Sequence, residues 1–98
     1  MSYRLETHPA VRDDTNRARR SFEQLREDLG DELAADIDQT IIRLQQQPLL
    51  YQKRYGEVRL AMTERFHHKI VYEVFGDLVY ILAVLHPRQH PMSWVSRL

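Results

Sequence analysis

Cysteine is absent from this chain of 98 residues. That excludes disulfides and thiolate metal sites, and it leaves the redox compartment open. A long hydrophobic run is absent too. The longest, from Leu78 to Leu85, is far too short to span a bilayer. The opening stretch MSYRLETHPAV lacks the apolar run that a signal peptide needs. A cytoplasmic protein with no membrane partner is the expectation. Charge of one sign is not in excess: 14 Lys and Arg stand against 14 Asp and Glu. A formally neutral chain has little long-range attraction for a polyphosphate backbone, which argues against strong nonspecific nucleic-acid binding. No linker, internal repeat or low-complexity tract appears, and Gln45-Gln46-Gln47 reads as the polar end of a helix.

What is present is an ordinary globular balance, with 43% apolar and 29% charged residues. The length predicts one domain over residues 1–98, burying somewhat over ~60% of its unfolded surface. The charge is unevenly spread. Residues 1–47 hold seven arginines and ten acids, and residues 48–98 hold seven basic residues and four acids. Four of the five histidines lie in that second part. The front is acidic and the back is basic and histidine-bearing.

The hydropathy pattern predicts the elements. SYRLET alternates with a period of two, as a strand does, and His8-Pro9 ends it. Val11, Ala18, Phe22, Leu25 and Leu29 make one helical stripe, with Asp13 and Asp14 at its dipole-positive end. Leu29-Gly30 reads as a stop, with Gly30 in the left-handed cap. Asp31 then starts a second helix striped by Leu33, Ala34, Ile37, Ile41 and Leu44 and closed by Pro48. A connector of one or two residues folds the two helices back as a hairpin. The remainder predicts strands over 58–62, 66–75 and 78–85, the last two joined by Gly76-Asp77. LVYILAVL is apolar on both faces, the mark of a central strand. The predicted fold is α+β in the order β-α-α-β-β-β, a helical hairpin on a four-stranded, mainly antiparallel sheet.

After that central strand comes LHPRQHPMSW, which turns abruptly polar. His86 and His90 stand four apart, each followed by proline, with Arg88 between them and Trp94 beyond. The spacing is that of helical metal ligands, but Pro87 and Pro91 oppose a helix there. His67 and His68 are adjacent, which on a strand sends them to opposite faces. No carboxylate or thiolate completes a set, so neither metal nor cofactor is expected.

In this order the segments resemble toxins of the RelE/ParE superfamily, the plasmid stabilisation group of type II toxin–antitoxin modules. HPAVRDD is similar to the family's start of helix one, and LGDEL to its inter-helix turn. VRLAMTERFHHKIVYEV resembles its arginine-bearing strand, turn and next strand, and LAVLHPRQHPMSW its closing signature. The chain departs from that pattern in having Phe66-His67-His68 where many relatives have Phe-Pro-Tyr. It also has Pro87-Arg88-Gln89-His90 where many have an unbroken arginine pair. The resemblance implies a growth inhibitor wrapped and silenced by a cognate antitoxin in a toxin–antitoxin hetero-oligomer. It implies one of two targets, DNA gyrase or ribosome-bound mRNA. The neutral total and the thin basic set favour gyrase. The alternatives are a ribosome-dependent mRNA interferase and a degenerate, non-toxic family member.

An interferase needs a proton acceptor, a proton donor and cations for the charged phosphorane. Histidine suits the proton roles and arginine the phosphate. His86, Arg88, Lys69 and Arg59 lie on or just after adjacent predicted strands, and so form the candidate catalytic set of a metal-independent endoribonuclease. As a target- or antitoxin-binding surface the candidates are Arg59, His68, Lys69, His86, Arg88, His90 and Trp94. Each has a plainer role beside this one. Arg59 and Lys69 are solvent-side strand residues, and His86 is a strand-end residue whose ring bonds a backbone carbonyl. His90 is a surface residue, and Trp94 is an anchor that seals the sheet rather than a platform for a base. Arg12, Arg19, Arg20 and Arg26 form a solvated helix face interleaved with acids.

Overall fold

Alternation, stripes and turns assemble much as the pattern predicts. The structure, a computed structural model, describes residues 2–98. Its elements are β1 (Arg4–Thr7), α1 (Val11–Glu23), α2 (Leu29–Gln46), β2 (Lys53–Tyr55), β3 (Val58–Met62), β4 (Lys69–Phe75) and β5 (Leu78–Leu85). A short 3-10 turn over Val95–Arg97 ends the chain. The sheet order is β1-β5-β4-β3-β2, with β1 parallel to β5 and every other pair antiparallel. No helix among the described residues is long and apolar enough to cross a membrane.

The helical hairpin covers one face of the sheet. Leu33, Ile37 and Leu44 of α2 and Val11 of α1 pack with Ala61, Ile70, Tyr72, Val79, Ile81 and Val84. Burying a side chain of the size of Leu33 or Ile37 stabilises the fold by about 1.5–3 kcal/mol. The opposite face carries Val58, Val71, Leu82, Ala83 and Leu85, and Trp94 lies over them, 2% exposed. Both faces of β5 are covered, as its continuous apolar run predicts.

The sheet has five strands rather than the four expected. The extra one, β2, is only three residues long and has no buried side chain. It pairs with β3 through Gly56-Glu57, where Gly56 has φ +60°. The same glycine–acid pair makes the β4–β5 turn, Gly76-Asp77, with Gly76 also at φ +60°. Positive φ at the first turn position is what a tight hairpin needs.

Three further expectations are corrected. Gly30 is not a left-handed cap but the second residue of α2. A Cβ there would sit 2.6 Å from Glu23 Cγ and 3.0 Å from the Arg19 carbonyl, so the glycine lets the two helices approach. Leu25 lies beyond the end of α1 and is 77% exposed, off the stripe. The connector therefore spans 24–28, and Asp28, not Asp31, precedes α2.

Phe66, His67 and His68 belong to a turn rather than to a strand. Thr63 closes that turn, its N–H donating to the His68 carbonyl and its hydroxyl accepting from the His68 N–H. Asp36 of α2 accepts from the backbone N–H groups of Arg65 and Phe66 at 3.3 and 2.9 Å. Between these clamps His67 takes φ +59°, a left-handed conformation in which a proline ring has no place.

Candidate functional site

The polar ending of β5 is built from three-residue turns. His86 Nδ1 accepts from the Arg88 N–H at 3.0 Å, and His90 Nδ1 accepts from the Met92 N–H at 3.1 Å. His8, the third His-Pro pair, does the same with Ala10 at 3.1 Å. Proline presets the bend and the ring caps it, so two histidines spaced like helix ligands each spend one nitrogen on their own turn. Gln89 closes the His86 turn from the side, its Oε1 accepting from the His86 N–H at 2.9 Å. Arg88 and His90 stand exposed on the loop, and His86 is half-buried.

Which face His86 reaches is decided by a β-bulge. Val71 pairs with Ala83 but Tyr72 pairs with Ile81, so Leu82 is an extra residue in β5. Leu82 and Ala83 both join the cluster away from the helices, and Val84 returns to the helix side. Strict alternation from Ile81 would have placed His86 on the outer face. The bulge turns it towards α1, where it lines a cleft with Arg17 and Ser21.

The four residues of the candidate catalytic set do not meet on one patch. Arg59 pairs with Tyr72 and shares the helix-side face with Ala61. Its guanidinium is half-buried and donates to the carbonyls of Tyr51 and Leu49 at 2.6 and 3.3 Å. Those bonds hold the α2–β2 loop, together with Tyr72, whose hydroxyl donates to the Pro48 carbonyl at 2.6 Å. Burial pushes that hydroxyl up to about 12, so it remains a donor. Lys69 pairs with Met62 and with Leu85 and lies on the opposite, outer face. It is offset from Arg59 by three residues, roughly 10 Å along the strands. Lys69, His86, Arg88 and His90 therefore share one end of the sheet, and Arg59 does not.

The two remaining candidates are supports. Trp94 packs on Tyr55 with ring centroids 5.8 Å apart, and its burial leaves no free face for a base. His68 is 1% exposed and bonds through Nδ1 to the Phe66 carbonyl at 3.2 Å. Since a carbonyl only accepts, Nδ1 carries the proton. Burial holds the ring below the usual histidine range, and the nearby His86 adds to this. His68 stands 5.7 Å from Phe22 and 5.3 Å from His86, between the core and the surface turn.

One pair escaped the sequence reading. The Arg97 guanidinium grips Asp14 with both forks, at 2.6 and 2.7 Å, and also donates to the Leu82 carbonyl at 3.0 Å. Asp14 in turn accepts from the Val84 N–H at 3.0 Å. β1 stops at Thr7, which pairs with Ile81, so beyond that point β5 keeps β4 on one edge and has no strand on the other. Asp14 and Arg97 satisfy the backbone groups left over there. The bond to Asp14 raises the Arg97 guanidinium further above its ordinary value. Asp14 looked like an ordinary first-turn acid, and nothing 83 positions apart in sequence marks the pairing.

Comparison with known proteins agrees with this architecture. A solved structure described as a chromosomal ParDE TA system from P. aeruginosa superposes with a TM-score of 0.77. It is 18% identical, over 87% of this chain and 96% of that one, which speaks for the fold. No curated protein sequence matches. The family model described as ParE toxin of type II toxin-antitoxin system, parDE, matches residues 5–91. That span runs from β1 through the His90 turn, and the chain belongs to the ParE family of type II toxins.

Proposed function

We propose that this toxin inhibits growth by ParE-like interference with DNA gyrase, in the cytoplasm, and is neutralised by a cognate antitoxin that binds it as a hetero-oligomer. The observation that carries the reading is the dispersal of the nuclease set. Arg59 is tied to backbone carbonyls on one face while Lys69 lies on the other, so proton transfer and phosphorane stabilisation have no common centre. Blocking a target requires only a surface. On this reading the exposed Arg88 and His90, flanked by His86 on the helix side and Lys69 on the outer side of the same sheet end, meet the target or antitoxin. His68 supports the His86 turn from beneath, while Arg59 and Trp94 brace the sheet elsewhere.

Purified toxin is to be added to a gyrase supercoiling assay and to a translation extract with primer extension of the message. Loss of supercoiling with intact message is the expected result. Periodic cuts in ribosome-bound message would overturn it in favour of an interferase. Absence of any growth defect on induction without antitoxin would mark a degenerate member.

A further inference from the structure

We infer that the cleft between α1 and the His86 turn is a carboxylate-binding site that takes an acidic side chain of a protein partner. The cleft has a volume of about 230 Å³, with Asp14, Arg17, Ser21, Val84, His86 and Gln89 on its walls. Counting hydrogen bonds shows what it offers. Asp14 is an acceptor already engaged, with two bonds from Arg97 and one from the Val84 N–H, and its charge is matched by that guanidinium. Gln89 has spent its carbonyl oxygen on the His86 N–H, which leaves its amide NH₂. His86 has spent Nδ1 on the Arg88 N–H, so the neutral ring keeps its proton at Nε2. Arg17 is exposed and, like the Ser21 hydroxyl, has no bonding partner among the described residues. Arg17, the Ser21 hydroxyl, the Gln89 NH₂ and the His86 Nε2–H thus offer donors to the cleft, and Arg17 carries a fixed positive charge.

The charge count selects the ligand. A single guanidinium matches a single carboxylate in bidentate fashion. A phosphate dianion would face one free cation and the buried Asp14 carboxylate behind it, and the neutral chain adds no long-range field to compensate. The inference is independent of whether gyrase is the target.

The test is an NMR titration of the full chain with hexaglutamate, hexaglutamine and a single-stranded oligonucleotide, one at a time. Hexaglutamate is expected to shift the amides of Ser21, His86 and Gln89 saturably, and hexaglutamine to leave them unmoved. Arg17→Gln should weaken hexaglutamate at least about tenfold. Gln89→Glu keeps an acceptor for the His86 N–H but adds a negative charge, and should weaken it likewise. No saturation at millimolar peptide, or equal binding by both variants, would overturn the site. Tighter binding of the oligonucleotide at the same amides would overturn the ligand class.

Discussion

At the scale of single residues, His68 links the fold to pH. Its neutral form is buried, and burial lowers its affinity for protons relative to the unfolded chain. Below the unfolded value, about 6.5, the unfolded state binds a proton that the native state refuses. Stability therefore rises with pH through that window and falls on acidification. Urea denaturation at pH 5 and pH 7 should show a steeper dependence in the parent than in His68→Phe, and identical slopes would remove His68 from the account. His67 carries a different burden. It is exposed and held at φ +59°, which costs an L residue about 1–2 kcal/mol. Glycine takes that conformation freely but loses more backbone freedom on folding. Thermal denaturation of His67→Gly should show a net gain of about 0.5–1 kcal/mol. Neither histidine's role could be read from Phe66-His67-His68, because the residues look like a continuing strand until Asp36 and Thr63 are seen to clamp a turn there.

Among the elements, the helical hairpin depends on Gly30. In the sequence it reads as a helix stop, since Leu-Gly followed by an acid is a common boundary. Its real role is spatial: the Arg19 carbonyl lies 3.0 Å from where a Cβ would stand. Gly30→Val should lower stability by about 1–3 kcal/mol through overpacking, measured as a reduced urea midpoint. A variant as stable as the parent would mean that the hairpin opens at no cost. The strands divide in the same way. β4 and β5 announce themselves by alternation, length and Gly76-Asp77, whereas β2 is too short for a period to show. Its available signal was Gly56-Glu57, the same turn chemistry in front of β3.

For the molecule as a whole, the Asp14–Arg97 pair joins the first helix, β5 and the C-terminal turn. Asp14 has 4% of its side chain exposed and Arg97 19%, so removing one partner strands a buried charge. Arg97→Ala should cost about 3–5 kcal/mol, read from chemical denaturation. A loss below about 1 kcal/mol would put the pair among surface bridges. Since His86 follows Leu82 and Val84, the residues this pair braces, the variant should also disturb the His86 amide signal.

The hydropathy periods determined the α+β class, the helical hairpin and the interior place of β5, because burying an amphipathic face is a local demand that repeats along the chain. They also supplied the site candidates, since His86, Arg88, Lys69 and Arg59 are chemically suited wherever they lie. Only the tertiary structure decided which of these share a surface. One bulged residue, Leu82, inverts the parity of everything after it, and strand register sends Arg59 and Lys69 to opposite faces. Register and bulges arise from pairing between distant segments, so no local pattern can encode them.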